Sequence, residues 1–175
     1  MKMDVIILRG APGSGKSTTA KLLARRIGVG ARLEVDTLRS MVVDVEWTNQ
    51  AQHMGALLLA ATLTVGFLDL GHKPVVVVDT FSGTKLTVFL ERLRTLRSDV
   101  SVRAFALVPN VDVLRARVEG RPDGEFKDFS VCRRINEDMV KYREREETVI
   151  DNSDISPMST MSVIWNAVSC PSELS

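Results

Sequence analysis

An α/β fold, with a five-stranded parallel sheet between layers of helices, is what this sequence predicts, on three observations. Short β-branched apolar runs alternate with longer amphipathic stretches along the chain, the pattern of strand–helix–strand units. The first run, Val5 to Leu8, is apolar throughout, as strands covered on both faces are. It leads into Gly10-Ala-Pro-Gly-Ser-Gly-Lys-Ser17 and then into a helical pattern. A G-x-x-x-x-G-K-[ST] phosphate loop therefore stands in its proper strand–loop–helix setting.

The elements follow in order. The helix after the loop spans Ser17 to Ile27, with Ala20, Leu23, Ala24 and Ile27 as its apolar stripe and Gly28 and Gly30 closing it. Ala31 to Val35 reads as a second short strand, with Asp36-Thr37-Leu38-Arg39 at its carboxyl end and a short helix or turn over Leu38 to Val45. Thr48 or Asn49 caps a long helix that runs to Leu70 and stops at Gly71. Its apolar part, Gly55 to Leu70, is shorter than a membrane span and carries Thr62, Thr64 and Asp69, so a buried helix is expected. Val75 to Val78 is a strand of four valines ending at Asp79-Thr80. An amphipathic helix over Lys85 to Arg97, a strand over Val102 to Val108 and a helix over Val113 to Val118, capped by Asn110 or Asp112, come next. The polar loop Gly120 to Asp128 separates that helix from a charged one, Val131 to Glu147. Thr148 to Asp151 is the last strand, and Met158 to Val168 the terminal helix. The strand order does not follow from the pattern, although analogy with phosphate-loop folds sets the Asp79 strand beside the first.

The totals bound the function classes. With 175 residues, one domain spanning residues 1–175 is the expectation, with a lid at about 115–130. The net charge of +1 gives no bulk attraction to a long polyanion or an anionic membrane. Arginine outnumbers lysine, which suits forked recognition of phosphates and equally fits a genomic base bias. Cys132 and Cys170 have no metal-ligand spacing, so a reduced, cytoplasmic chain without a membrane partner is expected. Asp4 and Arg9 bracket an apolar run too short for a signal peptide.

The chemistry gathers around the loop. Its glycines let the backbone approach a phosphate, and successive N–H groups there form an anion cradle. Gly13, Ser14, Gly15, Lys16, Ser17 and Thr18 are the expected ATP-binding set. Lys16 supplies charge for the β/γ oxygens, and the Ser17 hydroxyl is a ligand for Mg²⁺. Asp79, at a strand tip, is the second expected Mg²⁺ residue, acting through water; the plainer reading is an Asp that caps the next turn. Asp36 is suited to accept a proton from an attacking hydroxyl. Arg39, three residues on, falls on the same side of a helical turn and can hold an anion on the acceptor; the plainer reading is an N-cap Asp beside a solvated Arg. Arg117 and Arg121, with Arg115 nearby, are placed to stabilise the transferring phosphoryl group from a lid hinged at Gly120, Pro122 and Gly124. They also fit ordinary Arg placement at a helix C-terminus. Thr80 is a candidate acceptor contact, Asn152-Ser153 candidates for the base pocket, and Gln52 and His53 candidates for a substrate contact. A lone histidine is more commonly a tolerated surface residue.

Together these motifs resemble the kinase domain of phage-type 5′-polynucleotide kinases, within the P-loop NTPase fold. The likeness rests on the phosphate loop, Asp36-x-x-Arg39, Asp79-Thr80 after the valine strand, Arg117-x-x-x-Arg121, and Ser130 to Tyr142 with Arg134 and its Met-Val-Lys-Tyr ending, over about residues 5 to 142. Parts of it are shared with zeta-toxin-like, gluconate-kinase-like and antibiotic-phosphorylating P-loop kinases. The resemblance implies Asp36 as general base for a 5′-hydroxyl and Arg39 as ligand of the phosphate on the acceptor's 3′ side. It implies Lys16 and Arg121 on the ATP phosphates, with Arg117 assisting. Two departures from that family bear on the expectation: no phosphatase domain is expected after the kinase region, and the near-neutral charge does not by itself establish a long nucleic-acid track.

The expected activity is ATP- and Mg²⁺-dependent transfer to a hydroxyl, the 5′-hydroxyl of a DNA or RNA oligonucleotide first. The alternatives are the same chemistry on a small molecule (an antibiotic, sugar or nucleotide) and an ATP-binding module that transfers nothing. Oligomeric state has no signature in the sequence.

Overall fold

The computed structural model describes residues 3–145 and 147–169; the expectation for Cys170 lies outside them. Five strands form one parallel sheet in the order β2-β3-β1-β4-β5: β1 (Val5–Arg9), β2 (Ala31–Glu34), β3 (Val75–Asp79), β4 (Val102–Leu107) and β5 (Glu147–Ile150). β1 is central, paired with β3 in the register Val5↔Val75 to Arg9↔Asp79 and with β4 from Val5↔Val102. The expected neighbourhood of the Asp79 strand and the phosphate-loop strand is therefore observed. Every crossover carries helix, as parallel strands require.

Side-chain alternation along β1 sorts the core into two layers. Val5 and Ile7 pack with Leu57, Leu86 and Phe89, beneath α2 (Val35–Arg39), α3 (Gln50–Asp69) and α4 (Lys85–Leu96). Ile6 and Leu8 pack with Leu23, Phe105 and Ile164, against α1 (Lys16–Ile27) and α7 (Pro157–Ser169). A third, smaller cluster, Ala11, Leu114, Val118 and Cys132, joins α5 (Val111–Glu119) and α6 (Phe129–Lys141) to the phosphate loop.

Several boundaries differ from expectation for identifiable reasons. β2 stops at Glu34 because Val35 already opens α2, so Asp36 lies inside the first turn and Glu34, not Asp36, is the cap residue. Asn49 caps α3, its Oδ1 accepting from the Gln52 amide at 3.1 Å. α3 is 20 residues long, and by length and composition alone it is apolar enough to cross a membrane, unlike its shorter apolar part taken by itself. Its buried apolar residues, Ala56, Leu57, Ala60, Ala61 and Leu68, form one stripe against the sheet layer, while Leu58 and Leu59 are exposed.

α6 ends at Lys141, short of the Glu147 that its charged pattern suggests. Arg9 explains this. Its guanidinium is fully buried and binds both carboxylate oxygens of Glu147, at 2.7 Å for the Nη2–Oε2 contact. The same group donates to the carbonyls of Phe81, Met139 and Tyr142, each at 3.0 Å. Arg9 thus terminates α6 and draws Glu147 into β5. A buried charge is tolerated when paired and hydrogen-bonded in this way.

Candidate active site

The Arg9↔Asp79 register brings the phosphate loop and the tip of β3 to one edge of the sheet, the carboxyl edge where α/β folds bind ligands. Gly13 has φ +85°, and a Cβ there would stand 2.8 Å from Val118 Cγ2. Glycine at this position lets α5 pack onto the loop. Gly15, at φ +90°, is the left-handed residue before α1. Asn152 Nδ2 donates to the Ser14 carbonyl at 2.9 Å, tying the loop after β5 to the phosphate loop.

A cavity of about 640 Å³ opens on this side. Gly13, Gly15, Lys16, Ser17, Thr18, Arg117, Arg121 and Asn152 line it, so most of the expected ATP-binding set converges there. Ser14 is the exception among the side chains: it is buried, and its hydroxyl has no hydrogen-bond partner. Burial lowers the Lys16 ammonium from its ordinary range, against the pull of Asp79 and Asp36, and Arg121 adds to the lowering. Arg117 Nη2 donates to the Asn152 carbonyl at 2.9 Å, and its Nη1 is buried without a partner. Arg121 is clamped on Glu125, with Nε 2.7 Å from Oε2. Ser153, suggested for the base pocket, instead accepts from the Asn110 amide at 2.8 Å.

A second cavity, of about 960 Å³, lies across Pro12. Asp36, Arg39, Thr80 and Lys85 line it together with Trp47, Met54, Phe126, Asp128, Arg134 and Asp138. Asp36 is solvent-accessible at its mouth. Although the side chain is exposed, partial desolvation beside the cavity raises its carboxyl above the ordinary aspartate range, and the Asp79 charge raises it further, against Lys16, Arg39 and His53. Asp36 therefore feels the charges of both the loop lysine and the β3 carboxylate. Arg39 is buried rather than solvated. Its Nη2 donates to the Trp47 carbonyl at 2.9 Å, its guanidinium lies 4.6 Å from the Trp47 ring centroid, and Asp36 is 3.9 Å away. Stacking and burial fix the plane of the fork. Gln52, a suggested substrate contact, braces the preceding loop through the Glu46 amide (2.9 Å) and the Asp44 carbonyl (3.3 Å).

His53 is the residue whose placement sequence reasoning misses. It is buried, not a surface residue, and its Nε2 lies 3.1 Å from Asp79 Oδ2. Its Nδ1 lies 3.1 Å from Lys85 Nζ. A signal is present in the sequence: His53 stands three and four residues before Ala56 and Leu57, on the stripe that α3 buries. Asp79 Oδ2 also accepts from the Phe81 amide at 2.9 Å, across a turn in which Phe81 adopts φ +46°. A non-glycine residue in that region is strained and marks a position that the surroundings enforce. Burial pushes the Asp79 carboxyl up, but the His53 hydrogen bond, the Phe81 amide and the Lys16 charge outweigh it, leaving the group below its ordinary range.

These residues fit a hydrated Mg²⁺ beside a nucleotide. Asp79 Oδ1 is buried without a partner, and Ser17 lines the 640 Å³ cavity. A hydroxyl and an ionised carboxylate are the hard oxygen donors that this cation takes, with water and phosphate completing its shell.

The fold recurs in solved structures. The tunicamycin resistance protein of Deinococcus radiodurans superposes with a TM-score of 0.70 at 18% identity, over 95% of this chain and 96% of that one. APS kinase from Mycobacterium tuberculosis, in complex with AMPPNP and APS, gives 0.70 at 16% identity over 96% and 98%. Shikimate kinase from Acinetobacter baumannii, in complex with shikimate, gives 0.66 at 16% over 99% and 97%. No curated protein matches the chain in sequence. The family model described as an AAA domain, AAA_33, matches residues 5–146. The chain belongs to that family and carries its P-loop kinase-like fold.

Proposed function

We propose that this protein is a kinase that transfers the γ-phosphoryl group of ATP to the hydroxyl of a small molecule bound in the 960 Å³ cavity. The observation that carries the reading is the position of Asp36: it lines one cavity with Pro12 of the phosphate loop and with Arg39 and Thr80. In the transfer, the Asp36 carboxylate takes the hydroxyl proton as the oxygen attacks the γ-phosphorus. The bond from that phosphorus to the β–γ bridging oxygen breaks, and ADP leaves. Lys16, Arg117 and Arg121 neutralise charge on the phosphate oxygens. Ser17 and, through water, Asp79 would hold Mg²⁺, which when bound offsets the charge of the β- and γ-phosphates.

The walls of the cavity favour a compact acceptor. Trp47, Met54, Phe126 and Ile135 give it apolar surface, and Asp128 and Asp138 interrupt the cations Arg39, Lys85 and Arg134. A polyanionic strand would meet those carboxylates. The second reading, a 5′-hydroxyl end of DNA or RNA as in phage-type 5′-polynucleotide kinases, is favoured by Arg39 stacked on Trp47, a phosphate donor beside a ring for a base. Incubation with γ-labelled ATP and Mg²⁺ tests both readings. The acceptors are shikimate, APS, tunicamycin, sugars and nucleosides on one side, and 5′-hydroxyl oligonucleotides on the other. Label on a small molecule supports the first reading, and label on oligonucleotides alone replaces it with the second. Tight ATP binding with no label on any acceptor returns the chain to a nucleotide-binding module.

A further inference from the structure

Buried polar side chains on α3 need a partner, and His53 finds two outside its own helix. Thr64, further along the same stripe, returns its hydroxyl to the Ala60 carbonyl at 2.8 Å. His53 instead bridges Asp79 at the tip of β3 and Lys85 at the start of α4, at 3.1 Å each. An ionised carboxylate can only accept, so His53 Nε2 carries a hydrogen and donates it to Asp79 Oδ2. Lys85 is itself anchored on Ser82 Oγ at 3.3 Å. Asp79 Oδ2 thus receives two donors, the imidazole and the Phe81 amide, while Oδ1 is buried and receives none. A carboxylate gripped at one oxygen from two directions cannot exchange its oxygens without losing both bonds.

We propose that His53 is the positioning residue of this site: it grips Asp79 Oδ2 and leaves Oδ1 to hold, through water, the Mg²⁺ that would accompany a nucleotide. The inference rests on the kinase reading above. Removing such an outer partner of a metal-site carboxylate usually weakens metal binding or activity by about 10- to 100-fold. Glutamine can take over both contacts, its amide donating to Asp79 and its carbonyl accepting from Lys85. Leucine fills the space and makes neither.

The test reads nucleotide binding without turnover. ADP affinity is measured by calorimetry across a Mg²⁺ titration for the wild type, His53→Leu and His53→Gln. The Mg²⁺ concentration giving half of the tightening should rise about 10- to 100-fold in His53→Leu and stay within about 3-fold of wild type in His53→Gln. Affinity for ADP without Mg²⁺ should be equal in all three. A His53→Leu protein with the wild-type Mg²⁺ midpoint overturns the inference and leaves the kinase reading standing. A wild type whose ADP affinity ignores Mg²⁺ removes both. Nitrogen-15 NMR of the wild-type imidazoles tests the bridge without any folded His53 variant. The chain has 2 histidines, so His72→Gln assigns the spectrum. A hydrogen on His53 Nε2, the nitrogen facing Asp79, is expected. A ring whose Nε2 carries no hydrogen contradicts the grip.

Discussion

Arg9 and Asp79 are register partners at the carboxyl ends of β1 and β3, and Arg9 Nη1 donates to the carbonyl of Phe81, two residues beyond Asp79. The residue before the phosphate loop therefore helps to shape the turn that holds the opposing carboxylate. Arg9→Met leaves Glu147 charged, fully buried and unpaired, which is expected to cost about 3–5 kcal/mol. Adding Glu147→Leu should recover a large part of that loss, because the uncompensated charge goes with it. Urea unfolding of the single and double variants checks this; a double variant as unstable as the single one refutes it.

Lys16→Ala should lose ATP binding, since Lys16 belongs to the phosphate loop and lines the nucleotide cavity, where the other lysine, Lys21, stands further along α1. Asp36→Asn should bind ATP as the wild type does, because Asp36 lines only the acceptor cavity. Calorimetry with a non-hydrolysable ATP analogue separates the two. Equal losses in both variants would mean that Asp36 serves the nucleotide.

The pH profile carries the sign of the Asp36 shift. Burial and Asp79 raise its carboxyl, and the base works only when ionised. Activity should therefore fall as pH drops through a value above the ordinary aspartate range, while ATP binding persists. An acid limb at or below the ordinary aspartate value contradicts the shift.

Trp47 orients Arg39 through its carbonyl and its ring. Trp47→Leu keeps the carbonyl and loses the stacking, worth roughly 0.5–2 kcal/mol, so acceptor KM should rise roughly 2- to 30-fold. ATP KM should not change. For oligonucleotide acceptors, Arg39→Ala should raise KM selectively for those with a phosphate on the 3′ side.

Arg121, in the loop after α5, lines the nucleotide cavity and is clamped on Glu125. Arg121→Ala should lower kcat by roughly 100-fold, as loss of one donor to developing charge does. A rise in ATP KM with kcat intact would make it a ground-state contact instead.

The strands and the nucleotide side are legible in the sequence because their signals are local. Four valines before Asp79, or glycines before Lys16 and Ser17, need no tertiary information to be read. Strand order is not legible, since register depends on which faces pack. The acceptor side is legible only in part. Asp36 and Arg39 are singled out by spacing, but nothing in the sequence marks Trp47, and its stacking on Arg39 arises from a loop that folds back. His53 is undervalued because a single histidine carries no partner in sequence; Asp79 and Lys85 come from other elements. The early end of α6 is hidden for the same reason, as its terminator, Arg9, lies at least 130 residues away.

The central claim, that Asp36 accepts the proton of the attacked hydroxyl, is tested most directly by single-turnover phosphoryl transfer with saturating ATP and the best acceptor from the panel. Asp36→Asn should lower the transfer rate by about 100-fold or more with both substrates still bound. A variant that transfers at close to the wild-type rate would contradict the account.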